Sequence, residues 1–204
     1  MGIRSKSAAR CDVCRMHIKD CICALIPQLD LQTRVVVIMH YREWSKPTAS
    51  APLIALADPR SEIRLRGEKD VPFDHHGLVL EAHQTLLLYP AEDAQVLSRE
   101  LVAQDPRPVT LVVPDGTWGQ ASRMVKREPA LQGLPRVVLP DMGPSRYRLR
   151  HEPKHGGLGT FEAIARALRI LEGEDVYQRL NAPFEAMVER TLATRGRASG
   201  LPID

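Results

Sequence analysis

Two groups of residues in this chain have the types and spacing to do chemistry. The first is Cys11-Asp-Val-Cys14-Arg-Met-His-Ile-Lys-Asp-Cys21-Ile-Cys23, which holds all four cysteines. Scattered buried thiols would not cluster within one short stretch. A disulfide framework needs an oxidising compartment. The basic N-terminus MGIRSKSAAR has no apolar run behind it to act as a secretory signal, so the cytoplasm is the expected location. Four thiolates around one structural zinc fit best, because a Cys-x-x-Cys hairpin presents two sulfurs to one tetrahedral ion. The second pair, Cys-x-Cys, is tighter than in a standard zinc ribbon. Cys11, Cys14, Cys21 and Cys23 are therefore the expected metal ligands. Four protein ligands leave no open position, so the metal would fold a segment too short to make its own core. His17 lies between the pairs and could replace one thiolate, but reads better as a surface or RNA-facing residue.

The second group is Asp115-Gly116-Thr117-Trp118. It places a carboxylate where an apolar run, residues 109–113, ends. Gly116 permits a sharp turn or close approach of a ligand. Thr117 can cap a following helix, and Trp118 offers a large flat face. The plain alternative is that Asp115 and Thr117 only cap and Trp118 only packs.

Charge adds a third signal. Lys and Arg number 28 against 25 Asp and Glu, so the net +3 alone does not imply a nucleic-acid partner. The distribution is uneven, however. Residues 1–23 carry Arg4, Lys6, Arg10, Arg15 and Lys19 against two Asp. Residues 143–155 carry Arg146, Arg148, Arg150 and Lys154 against Glu152, with His151 and His155 beside them. These are either solvated faces or two patches that grip an anionic backbone.

The elements that must position these residues follow from periodicity. At 204 residues with 44% hydrophobic and 26% charged residues, one ordinary domain with a real core is expected. No apolar run approaches the length of a membrane span. Buried strands are expected at 34–39, 84–89, 109–113 and 136–139, with a possible short strand at 78–80 in an otherwise irregular 60–83. Helices are expected at 48–58, 92–103, 117–128, 160–172, 174–180 and 183–195. Strands alternating with helices give an α/β fold with a mostly parallel sheet. Ligands then sit beyond the carboxyl ends of the strands, at the turns after residues 89, 114 and 139. Neither GxGxxG after the first strand nor GxxxxGK[ST] is present, which removes dinucleotide and P-loop readings.

With these pieces in place, the chain resembles the DTW-domain family, named for its Asp-x-Thr-Trp signature. The four-cysteine cluster, His40-Tyr-Arg-Glu43-Trp-Ser-Lys46, Leu88-Tyr89-Pro90, Asp115-Gly-Thr117-Trp118-Gly-Gln120, Ser145-Arg-Tyr147-Arg148-Leu149-Arg150 and Leu158-Gly-Thr160-Phe-Glu162 match its motifs in order. Two places depart from the pattern. Thr48-Ala49-Ser50 stands where the family usually has Thr-Asn-Thr, and Gly159-Thr160 stands for a Ser-Thr pair.

The resemblance implies a SPOUT-like α/β domain over residues 31–204, with a C-terminal trefoil knot around S-adenosylmethionine, after a zinc-binding segment over 1–30. It implies transfer of the 3-amino-3-carboxypropyl group of S-adenosylmethionine to N3 of a tRNA uridine, with release of 5′-methylthioadenosine. Asp115 would be the general base for the N3 proton, or would orient the donor's ammonium. Arg148 would hold the donor carboxylate, with Glu43 or Glu162 on the ammonium. Leu88, Tyr89, Pro90, Gly116, Thr117, Trp118, Ser145, Tyr147, Leu149 and Thr160 would complete the donor site. His40, Lys46, Arg123, Lys126, Arg127, Arg146, Arg150 and Lys154 would meet the tRNA. No membrane and no obligatory protein partner are expected. A SPOUT-like RNA methyltransferase and a non-catalytic zinc-bearing RNA-binding module are the alternatives.

Overall fold

The computed structural model describes residues 9–149 and 157–196. Arg150 and Lys154, with His151 and His155, lie outside the described residues, as do Arg4 and Lys6. Six strands form one sheet: β1 (Arg34–His40), β2 (Glu62–Arg66), β3 (Gln84–Leu88), β4 (Gln95–Val96), β5 (Val109–Asp115) and β6 (Arg136–Val138). Their order is β2-β1-β5-β3-β6-β4 and every pair is parallel. The helices are α1 (Tyr41–Trp44), α2 (Pro52–Ala57), α3 (Arg99–Val102), α4 (Trp118–Arg127), α5 (Thr160–Leu171) and α6 (Glu174–Thr194). Among them no helix is long and apolar enough to cross a membrane.

A parallel sheet is covered on both faces, so its central strands are apolar throughout. On β1, Val35, Val37 and Met39 point to one face, where they meet α2, α5 and α6 through Ile54, Phe161, Ile164, Leu168 and Phe184. Val36 and Ile38 point to the other face, against Met124 and Val125 of α4 and Leu131. β5 divides the same way, with Leu111 and Val113 on the first face and Val112 on the second. Each such side chain contributes about 1.5–3 kcal/mol by burial. Met16 and Ile22 of the cysteine segment join the larger core rather than a core of their own.

Several elements differ from the sequence expectation. β2 lies within the stretch read as irregular, while 78–80 forms no strand. β2 is an edge strand with Glu62, Arg64 and Arg66 among its five residues, and such a strand lacks the apolar run that marks a buried one. The expected helix at 92–103 is instead the two-residue edge strand β4 and the single turn α3, capped by Ser98 Oγ on Leu101 N at 3.1 Å. The expected helix at 48–58 is confined to α2. The two expected C-terminal helices are one, α6, continuous through Pro183. Proline removes one backbone donor there, but Leu180, Phe184, Met187, Val188 and Leu192 keep one apolar face on the core. Finally, β5 extends two residues past the expected end, so Asp115 is its last residue and not part of a loop.

Candidate active site and metal centre

A cavity of about 820 Å³ opens at the carboxyl ends of β3, β5 and β6. β5 lies between β1 and β3, and the chain leaves the sheet just after Asp115, its last residue. Asp115 is only 7% exposed. Its Oδ1 accepts a hydrogen bond from Thr160 Oγ1 at 2.5 Å. Thr160 is the first residue of α5, whose N-cap is Gly159 and makes no side-chain cap. The hydroxyl that could have capped its own helix is thus committed to a carboxylate 45 positions away.

The first turn of α4 is closed by a capping box. Thr117 Oγ1 accepts from Gln120 N at 3.3 Å, and Gln120 Oε1 accepts from Thr117 N at 2.7 Å. Gly116 eases this fold-back, because a Cβ there would stand only 3.0 Å from Gln120 Cβ and Oε1, which would have to shift. Trp118 is held as the first helical residue and stays 37% exposed at the cavity edge.

A further wall comes from the segment after β6. Arg166 of α5, 5% exposed, donates to the carbonyls of Gly143 at 2.7 Å and Pro144 at 2.6 Å. It also donates to Glu162 Oε1 at 3.0 Å. Glu162, 3% exposed, accepts from Ser145 Oγ at 2.6 Å and Arg146 N at 2.8 Å. Tyr147 closes the wall: its ring stacks on Phe184 at 5.8 Å, and its hydroxyl donates to the Thr48 carbonyl. A side chain at Gly159 would meet the Tyr147 ring at 3.1 Å, so glycine is fitted to this contact. The 48–50 loop is tied to the wall through a backbone carbonyl, which an alanine at position 49 does not disturb.

Of the residues expected to form the donor site, Leu88, Tyr89, Pro90, Asp115, Gly116, Thr117, Trp118, Tyr147 and Thr160 line this cavity. Ser145, Arg148 and Leu149 do not appear on its wall; Ser145 is bonded to Glu162 and Leu149 is in the core. Glu162 sits behind the wall. Glu43 is buried beside Lys46, with which it forms an ion pair, and is also off the wall. Sequence reasoning missed Arg166, the one guanidinium on the cavity wall among the described residues. Its signal was present: Glu162 and Arg166 are four apart on a helix whose neighbouring stripe is apolar.

Of the residues expected to face RNA, Arg123, Lys126 and Arg127 are exposed along α4. Arg146 is exposed and paired with Glu185 at 2.5 Å. His40, at the end of β1, stacks on Tyr41 with centroids 5.0 Å apart, and its Nδ1 accepts from Arg42 N at 3.3 Å. Burial, together with Arg42, Arg123 and Arg66, pushes its pKa below the ordinary histidine value.

The four cysteine sulfurs converge, all within 4.8 Å of one another. Cys11 and Cys23 are 3.5 Å apart, and Cys14 and Cys21 are 3.7 Å apart. A tetrahedral zinc with bonds of about 2.3 Å sets its sulfurs about 3.8 Å apart, so the donor set fits this ion. These separations are too long for disulfides. Backbone N–H groups of Cys14 and Val13 hold the Cys11 thiol down to about 6, while burial pushes Cys23 up to about 12. His17 stands aside, in an antiparallel bridge with Arg10.

The segment is braced on α6. Arg190 donates to the Cys21 carbonyl, and Thr194 Oγ1 donates to Asp20 Oδ2 at 2.8 Å. Arg15 lies over the Trp44 ring at 4.4 Å. We expect about one zinc per chain by atomic emission. Cys14→Ser should lower that content and reduce Tm by more than about 5 °C, as Met16 and Ile22 lose their cover.

A parallel α/β sheet with a cavity at its carboxyl edge, a buried carboxylate at the end of its central strand and a four-cysteine cluster that could hold a metal define an α/β domain with a small N-terminal cysteine segment. The model of the DTW domain family matches residues 8–192, and the chain belongs to that family. It is 30% identical to tRNA-uridine aminocarboxypropyltransferase 2 of Drosophila melanogaster over 190 residues, 90% of this chain and 75% of the fly protein. It is 28% identical to the Macaca fascicularis protein of the same name over 192 residues, covering 90% of this chain and 63% of that one. It is 26% identical to tRNA-uridine aminocarboxypropyltransferase A of Arabidopsis thaliana over 209 residues, covering 87% and 79%. The chain thus spans three quarters of the fly relative and less than two thirds of the macaque one. No solved structure matches it.

Proposed function

We propose that this chain is a tRNA-uridine aminocarboxypropyltransferase that takes S-adenosylmethionine as donor and modifies uridine N3. The observation that carries the reading is Asp115: a buried carboxylate fixed by Thr160 on the wall of a cavity of small-molecule size. Bound in that cavity, S-adenosylmethionine would supply a sulfonium-activated carbon, and attack by N3 breaks its bond to sulfur and releases 5′-methylthioadenosine. The N3 proton must leave as the new bond forms, and Asp115 is placed to accept it.

The apolar wall from Leu88, Val113 and Leu139 suits the adenine. Asp115 and Asp141 are the carboxylates on the wall among the described residues, and they suit the donor's positive centres. Arg166 holds the wall and offers the nearest guanidinium to the donor carboxylate, a role the sequence had suggested for Arg148. Which carbon is attacked is decided by which arm of the sulfonium these groups aim at N3.

A SPOUT-like, knotted C-terminal half is part of this proposal. The fully parallel sheet with its cavity at the carboxyl edge supports the α/β part of that reading. The metal segment braces α6 and needs no catalytic role. A reducing, cytoplasmic setting suits its four thiolates.

The test is to incubate the protein with S-adenosylmethionine and bulk tRNA that lacks the modification, then analyse nucleosides by mass spectrometry. Aminocarboxypropyl-uridine with 5′-methylthioadenosine is the expected result. Methylated uridine with S-adenosylhomocysteine would keep the cavity and overturn the chemistry. Neither product, despite bound donor, would favour a non-catalytic RNA-binding role.

A further inference from the structure

We infer that the target nucleotide is received on a platform beside the cavity, with its base stacked on Trp118 and its flanking phosphates held by Arg42 and Arg123. This inference rests on the transferase reading above and names where that substrate docks.

The geometry begins with the depth of Asp115. At 7% exposure the carboxylate is out of reach of a base that stays inside an RNA helix. The uridine must leave its stack to bring N3 to it, and the site must replace the lost stacking. Trp118 is three residues beyond Asp115, lines the same cavity, and has 37% of its surface exposed. Its backbone is fixed by the Thr117–Gln120 capping box. A large aromatic on a rigid helix start, half in the cavity and half outside, can take a base face without discriminating its edges. The edge then remains for Asp115 to read.

The cations come from α1 and α4, the elements that follow β1 and β5. His40, at the end of β1, borders the turn: a Cβ on Gly116 would be 3.5 Å from His40 Cβ. Burial and the positive charges of Arg42, Arg123 and Arg66 disfavour protonation of His40, against the opposing charge of Glu43. Arg66 is committed to Glu128 at 3.0 Å. Arg42 and Arg123 are exposed, and among the described residues neither has a carboxylate in ion-pair range. Glu43, the nearby acid, pairs with Lys46 instead. Arg42 is set in place by Tyr41: its Nε donates to the phenol at 2.9 Å and its guanidinium lies 5.5 Å from the ring centroid. Arg123 reaches back along α4, with Nη1 3.6 Å from the place of a Cβ on Gly119. A side chain at position 119 would stand in ordinary contact with that guanidinium. Two exposed guanidiniums on α1 and α4, together with a partly exposed indole on a cavity wall that also carries an acidic residue, match a flipped nucleotide: anionic at its ends, flat in its middle, and with an acidic N–H at its tip.

The test uses the full chain, bulk tRNA lacking the modification, and S-adenosylmethionine. The chain has two tryptophans, so a Trp44→Phe background isolates Trp118 fluorescence. Unmodified tRNA should quench that fluorescence, and S-adenosylmethionine alone should change it much less. Trp118→Ala should lower kcat/KM for tRNA by about 10- to 100-fold with donor Kd within about twofold, and Trp118→Phe should recover most of the loss. Arg42→Ala and Arg123→Ala should each raise KM for tRNA several-fold at unchanged kcat, and each should reduce the salt slope of tRNA binding by about one. The platform is overturned if tRNA binds without quenching, or if Trp118→Ala spares the tRNA parameters and raises donor Kd. The transferase reading fails separately: if the wild-type protein makes no aminocarboxypropyl-uridine, the quench by tRNA still decides whether Trp118 meets RNA. The quench and the phenylalanine variant keep the test open should the alanine variant fail to fold.

Discussion

Asp115→Asn should leave a folded protein that binds S-adenosylmethionine and turns over about 100- to 10,000-fold more slowly. Asparagine matches aspartate in shape, and its Oδ1 can still accept the Thr160 hydroxyl, so the end of β5 and the start of α5 keep their contact. What is lost is the ability to take a proton. Uridine N3 is a nucleophile only once its proton has gone, so a proton acceptor on the cavity wall acts in the transition state and little in the ground state. The loss should therefore fall on kcat, with donor KM nearly unchanged. If Asp115 instead held the donor's ammonium, the same variant would raise donor KM and spare kcat at saturation. Steady-state kinetics with donor varied at fixed tRNA separates the two. Wild-type turnover in the variant with normally bound donor would remove Asp115 from the chemistry.

The part of this arrangement that sequence made visible is the part built from local signals. β1 and β5 are buried on both faces and read as unbroken apolar runs, and the turn after β5 was marked by Asp115-Gly116-Thr117. The cysteine spacing pointed to a four-ligand site, and the sulfurs do converge. The edges of the sheet were not visible. β2 is made of charged residues that find partners only in three dimensions, Arg34 with Glu62 and Arg66 with Glu128. The sequence pattern divides α6 into 174–180 and 183–195, and tertiary packing of its apolar face carries the helix unbroken through Pro183. The partners of the site were hidden for the same reason. Thr160 reaches Asp115 across 45 positions, and Tyr147 reaches the Thr48 carbonyl across 99. Arg148 was a candidate for the donor carboxylate because a guanidinium binds a carboxylate bidentately, and the guanidinium on the cavity wall among the described residues comes from the middle of an amphipathic helix. Spacing along a chain shows which residues share an element, and only the fold shows which elements share a site.

Glu162 shows how far the cavity depends on a contact outside it. Its carboxylate gathers three donors: Ser145 Oγ, Arg146 N and Arg166 Nη2. Arg166 in turn holds the Gly143 and Pro144 carbonyls. The side chains of the ion pair are 4% and 6% exposed, so solvent screens it little. Glu162→Ala leaves a guanidinium buried without its counter-charge and two loop donors without their acceptor. Breaking a buried pair from one side costs about 3–5 kcal/mol, a large share of the roughly 5–15 kcal/mol that holds a domain together. For a chain of this size the expected fall in Tm is about 6–20 °C, measurable by calorimetry. Glu162→Gln should cost less, because its amide oxygen can still accept from Ser145 or Arg146. The two variants also separate stability from function. Well below Tm, the loosened 143–147 wall should raise donor KM in Glu162→Ala with a smaller change in kcat, since Asp115 is held by Thr160 and not by this loop. A Tm unchanged by Glu162→Ala would show that the wall is held without this pair. A large fall in kcat at saturating donor would place Glu162 among the reacting groups rather than behind them.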